Sequence, residues 1–136
     1  MGEVRNIVND QLLRLSYRDP KNIKKFLRSW GGLESLSLKG DTVATCILCD
    51  LKRVTGIDIE KYRRKDWRAF NLGYLDGKLS QYQYMAIAYT LVLGYSQEEI
   101  AYVMSVDQSV ICKNVNSGIK KIQKELKAFE EVEYCE

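Results

Sequence analysis

The sequence predicts an all-α fold: a small helical N-terminal part followed by a C-terminal unit of one short and one long helix. Three observations lead there. Ile111, Val115, Ile119 and Ile122 recur at spacings of 4, 4 and 3, which places them on one face of a helix. Helix-start signals recur along the chain: Asp19-Pro20, Ser80 with Gln83, and Ser96 with Glu99. The alternation of apolar and polar residues over Leu36-Ser37-Leu38-Lys39 is too short a run to claim a strand.

Taken in order, Val4, Ile7, Val8, Leu12 and Leu15 predict a first helix over about residues 3–17. Asp19 caps a second, with the only proline at its first position, and Trp30-Gly31-Gly32 ends it near Ser29. Residues 33–40 read as a loop, with Leu33, Leu36 and Leu38 covering the core. Asp41 or Thr42 opens a third helix that stops at Gly56. Residues 57–78 form a basic connecting segment of helical character. Trp67 and Phe70 share a face there, and the arginines point either to phosphates or simply to water. Ser80 and Gln83 make a capping box for a helix over 81–93, with Tyr84, Ile87, Ala88, Leu91 and Val92 as its apolar face. Gly94 ends it.

Ser96 then caps the short helix Gln97 to Met104, whose Ile100, Ala101 and Met104 form one stripe. Ser105 and Val106 leave room only for a sharp corner around a buried aliphatic. Asp107 can cap the next helix, its carboxylate accepting orphan amide hydrogens. That longer helix buries its isoleucine and valine stripe. Its other face shows Gln108, Ser109, Cys112, Lys113, Asn116, Lys120 and Lys124. This is the helix-turn-helix pattern, in which the second helix reads the major groove of DNA.

Residues 79–126 resemble the C-terminal promoter-binding region, region four, of bacterial sigma factors. More closely, they are similar to the short sigma-like regulators of phages and prophages of Gram-positive bacteria. The resemblance rests on Leu79-Ser80, Gly94, Ser96, Glu98-Glu99, Ile100-Ala101, Val106, Asp107 and Lys120-Lys121-Ile122. Two positions depart from the family pattern. Ser105 stands at the corner where many members have glycine. Cys112 stands where members often carry a basic or polar residue, so base preference does not transfer. The stretch GDTVATCILCDL also resembles, weakly, the segment that precedes the reader in such phage proteins.

The resemblance implies base-edge contacts at Gln108, Ser109, Cys112 and Lys113, with Asn116 one turn further reaching a base or a phosphate. It implies phosphate contacts at Lys120, Lys121 and Lys124. The helix start at Ser96 and Gln97 suits a phosphate through its free amides. Double-stranded DNA is the implied partner and RNA polymerase a second one. A homo-oligomer fits palindromic reading, although no heptad repeat long enough to specify one is visible. The first 60 residues hold only Tyr17, Phe26 and Trp30 as aromatics and show no promoter-melting region, so a full sigma factor is not expected. The expected function is a small sequence-specific transcriptional regulator, of the kind that activates late genes in phages. Two alternatives stand beside it: a small terminase-like DNA-packaging adaptor, and a polymerase-binding interaction module that does not read DNA.

Composition narrows the classes further. With no histidine, imidazole bases, Ser-His and Cys-His pairs and His-containing metal sites are excluded, and no catalytic constellation stands out. An enzyme is therefore not expected, nor is a cofactor. Cys46 and Cys49 lie in an apolar helical stretch with no turn to fold them round a metal, and Cys112 and Cys135 are 23 apart. Buried reduced thiols are the expectation. Net charge is only +3, but its distribution is uneven. Residues 52–68 hold seven basic and three acidic residues, 108–127 five and one, and 130–136 four acids and no base. No membrane span and no signal-type apolar stretch is visible, so the expected location is the cytoplasm. The resulting organisation is an N-terminal helical region over 1–56, the basic connecting segment 57–78, a region-four-like domain over 79–129 and an acidic tail over 130–136.

Overall fold

The computed structural model describes residues 10–63 and 67–133. Among these it is all helical, with no strand. The order is α1 (Asp10–Leu13), α2 (Pro20–Arg28), α3 (Trp30–Leu38), α4 (Thr42–Thr55), α5 (Ile59–Arg63), α6 (Trp67–Asn71), a 3-10 turn (Gly73–Leu75), α7 (Gln81–Ile87), α8 (Gln97–Met104) and α9 (Gln108–Glu133). α7 runs on through a π-type turn over Ala88–Val92.

Local chemistry explains most boundaries. The Asp19 carboxylate accepts from the Lys21 amide at the start of α2, and the Asp41 carboxylate accepts from the Ala44 amide at the start of α4. Gly56 ends α4 in the left-handed region at φ 75°. Ser80 and Gln83 form both halves of the capping box. The Thr90 hydroxyl donates to the Ala86 carbonyl, which draws that acceptor away from the helical ladder. The chain widens there, and the Leu93 amide reaches back five residues to the Ala88 carbonyl.

Several expectations are corrected. The first helix does not reach residue 17: its described part stops at Leu13, and residues 1–9 of the expected span lie outside the described residues. Ser16 breaks it, since its hydroxyl accepts from the Arg18 amide and its carbonyl accepts from the Asn22 side chain. Tyr17 instead turns inward and donates to Asp50 at 3.0 Å. Residues 33–38 are helical rather than loop, and only residues 39–40 turn. Trp30-Gly31-Gly32 opens α3 rather than closing α2, because Ser29 is shared as a cap and its carbonyl accepts from Leu33 at 2.9 Å. Two glycines cost a helix about 1 kcal/mol each, which the burial of Trp30 and Leu33 outweighs. Leu38 does not cover the core; it is 90% exposed. The connecting segment is broken into α5, α6 and the 3-10 turn, and residues 64–66 within it lie outside the described residues. Phe70 is buried. Trp67, expected to share its face, has a side chain outside the described part.

The cysteines are also corrected. Cys46 and Cys49 are exposed free thiols rather than buried ones, and Cys112 is exposed on the outer face of α9, where the sequence placed it. On α4 the buried stripe is Ala44, Ile47, Leu48, Leu51 and Val54, and the two cysteines fall on the other side of the helix. Cys135 lies outside the described residues.

α9 is the post on which the rest packs. Its buried stripe is Ile111, Val115, Ile119, Ile122 and Leu126, and it meets α2, α4, α7 and α8. One continuous core joins this stripe to Ile23, Phe26 and Leu27 of α2, the α4 stripe, and Tyr84, Ile87 and Leu91. The N-terminal helices and the C-terminal pair therefore share a core. The connecting segment is tied to both. The Lys78 amide donates to the Val54 carbonyl at 2.7 Å, and the Tyr84 hydroxyl donates to the Phe70 carbonyl at 2.7 Å. Burial pushes the Tyr84 phenol well above its ordinary range, so it stays a donor.

Candidate nucleic-acid interface

The corner between α8 and α9 is built by backbone hydrogen bonds. The Ser105 amide donates to Tyr102 and the Val106 amide to Ala101, closing α8 with a left-handed residue, Ser105, at φ 57° and ψ 43°. This is the pairing of a Schellman stop. Val106 completes it by packing, half-buried, against the core. Ile100 and Ala101 hold α8 to the same core. The direction in which α9 leaves the corner is thus set by Ser105, by Val106 and by the two buried residues of α8.

On α9 the expected reading residues lie outside. Gln108, Ser109, Cys112, Lys113 and Asn116 are exposed, and so are Lys120, Lys121 and Lys124. At about 100° per residue, Ser109, Lys113, Lys120, Lys124 and Lys127 fall within a stripe roughly 60° wide. From Lys113 to Lys127 it runs about 20 Å along the axis. Lys121 is rotated about 100° from Lys120, towards the edge where the Gln83 side chain donates to the Ser117 hydroxyl at 3.1 Å. The structure therefore groups Ser109, Lys113, Lys120 and Lys124, and sets Lys121 on the α7 side. No acidic residue occurs on α9 before Glu125.

Asn116 is already engaged within the protein. Its Oδ1 accepts from Lys24 Nζ at 3.4 Å, and its Nδ2 donates to Cys112 Sγ at 3.6 Å. Lys24 belongs to α2, and further along α9 the Gln123 side chain donates to the Arg18 carbonyl. Arg18 thus meets residue 123 and Lys24 meets residue 116, so α2 runs antiparallel to α9 along one edge of its exposed face. No local sequence signal marks this neighbour, because the pairing spans 92 and 105 positions.

Ser96 and Gln97 stand apart from this face. The Ser96 hydroxyl accepts from the Glu99 amide at 3.1 Å and donates to the Glu99 carboxylate at 3.2 Å. Glu98 and Glu99 also place two carboxylates in the first turn of α8. That turn offers a phosphate less than its position alone suggests. Beyond it, Tyr102 is 87% and Val103 75% exposed, leaving an apolar patch on the outer side of α8.

Among the described residues no helix is long and apolar enough to cross a membrane, and no group of three or more Cys, Asp or Glu side chains is placed to hold a metal ion. The chain matches no family model, no curated protein and no solved structure.

Proposed function

We propose that this chain is a sequence-specific DNA-binding transcriptional regulator of the phage or prophage type, with α8 and α9 as its helix-turn-helix. One observation carries the reading. The first turns of α9 hold Gln108, Ser109, Cys112 and Lys113 in solvent, while Ile111 and Val115 fix the helix to the core. A helix about 10–12 Å across, rigidly backed and polar on its outer side, fits a major groove about 12 Å wide. Gln108 pairs with adenine and Lys113 with guanine, each good pair being worth about 1–3 kcal/mol of discrimination. Cys112 offers a small, weakly polar surface to a thymine methyl. Lys120 and Lys124, further along the stripe, meet phosphates and set affinity rather than sequence. Lys121 meets the backbone on the α7 side. Asn116, held by Lys24 and Cys112, orients its neighbours and reaches DNA only where that bond opens. Ser96 and Gln97 contribute through backbone amides alone.

RNA polymerase is the second partner in this reading. The exposed Tyr102 and Val103 on α8 give it an apolar contact beside the DNA-facing helix.

The test is genomic footprinting followed by binding measurements on the site found. Lys113→Ala should relax specificity at one base pair, whereas Lys120→Ala should weaken binding to all sequences alike. If neither substitution alters DNA binding, α9 is not the reading helix.

A further inference from the structure

We infer that α2 is a second phosphate-binding element, and that α2 and α9 together form one DNA-facing surface. The inference rests on α9 being the helix that faces DNA. Within its nine residues α2 carries Lys21, Lys24, Lys25 and Arg28 and no acid. Its buried residues are Ile23, Phe26 and Leu27, which lie together on one side. Lys21, Lys24 and Arg28 fall within about 60° of one another on the side away from Phe26, and Lys25 lies next to them.

The fold then places this basic face where it can act. The bonds from Gln123 to the Arg18 carbonyl and from Lys24 to Asn116 set α2 antiparallel against α9. Continuing the register brings Arg28 alongside the first turns of α9, at the level of Cys112. Packed helices lie about 8–10 Å apart, and a major groove is about 12 Å wide. Two neighbouring helices cannot share its floor. With α9 in the groove, α2 meets the wall, where the phosphates of one strand run. Lysines and an arginine at that wall gain from phosphate neutralisation, while Gln108 and Lys113 read the floor. The Lys24–Asn116 bond is the seam between the two: it couples a phosphate-facing ammonium to the reading face.

The experiment measures binding of the full chain to a mixed-sequence duplex of about three helical turns, as a function of salt. The variants are Lys25→Gln/Arg28→Gln, Lys24→Gln, and Lys39→Gln as a control for net charge at the end of α3, which packs on α4. Thermal unfolding checks that each variant folds. Every phosphate that a variant no longer neutralises should lower the slope of log affinity against log salt by about 0.9. The double variant should therefore drop by one to two such steps, Lys24→Gln by up to one, and Lys39→Gln by none. A slope for the double variant equal to that of the parent overturns the inference. Tighter binding on neutralising α2 also overturns it, since α2 would then obstruct α9. If the parent chain shows no salt-dependent affinity for duplex DNA, the reading of α9 fails as well. Parent binding with unchanged variants removes only the role of α2.

Discussion

Gly118 of α9 and Ile87 of α7 meet so closely that a Cβ on Gly118 would stand 2.3 Å from the Ile87 Cδ1. Both residues are buried, so the methyl has little room to retreat. This contact lets α7 lie against the middle of the long helix, and with it the capping box that starts α7.

Gly118→Ala should therefore destabilise the fold. The helix gains about 1 kcal/mol from the better helix former, but overpacking costs about 1–3 kcal/mol. Ile87→Val removes the clashing methyl. In that background Gly118→Ala should turn neutral or stabilising. Denaturant unfolding of the four members of the cycle reads the coupling directly. Additive effects would show that Ile87 has room to move aside.

Ser105 is the only non-glycine residue with positive φ among the described residues. A side chain there costs about 1–2 kcal/mol relative to glycine, partly offset by the greater freedom of glycine in the unfolded chain. Ser105→Gly should raise stability by about 0.5–1 kcal/mol, read from the midpoint of denaturant unfolding, and leave DNA affinity unchanged. A drop in stability would mean that the serine side chain holds the corner in some other way.

Gly56→Ala should be far more damaging. Gly56 has φ 75°, and a Cβ there would stand 2.0 Å from the Gly73 carbonyl oxygen. Gly77 is equally tight, with a Cβ 2.4 Å from the Thr55 carbonyl carbon. Backbone faces backbone at this crossing, so no side chain can rotate away. The expected loss is about 2–4 kcal/mol, measured by thermal or denaturant unfolding.

Asp50 gives a pH signature. Burial raises its carboxyl above the ordinary 3.8, against the opposing pull of the Tyr17 hydroxyl and the Arg53 charge. The folded chain therefore holds this proton more tightly than the unfolded chain does. Stability declines as pH rises from about 3.8 through the raised value, and the penalty is complete above it. Asp50→Asn removes the penalty and still accepts from Tyr17. The variant should be more stable than the parent at neutral pH, and that advantage should vanish below the ordinary carboxylate value. Melting temperatures of both proteins across that range test the sign.

How much could be read from residues alone depends on the range of the interaction. The start of α7 and the two turns of α8 follow from caps within three residues, Ser80 with Gln83 and Ser96 with Glu99, and were legible. So was the buried stripe of α9, since its period is a local property. α3 was not, because Trp30-Gly31-Gly32 looks like a stop until the burial of Trp30 and Leu33 is known. The exposure of Cys46 and Cys49 depends on which face of α4 the core selects. The same holds for the candidate interface. Gln108 and Lys113 follow from position on a helix, but the bond from Lys24 to Asn116 joins residues 92 apart, and no local pattern announces it. A count of charge over short windows would have found the basic run on α2, though not its neighbour.

The packing of α2 on α9 has a consequence during synthesis. Ile23, Phe26 and Leu27 are made early, while Ile119, Ile122 and Leu126, in the same core, come about a hundred residues later. At about 5–20 residues per second, the early helices wait several seconds or more for the element that covers them. Until then the apolar faces of α2 and α4 are open to chaperones and to one another. A ribosome stall before residue 111 should leave a nascent chain that is helical, sticky and readily cut by protease, and release past Leu126 should close it in one step.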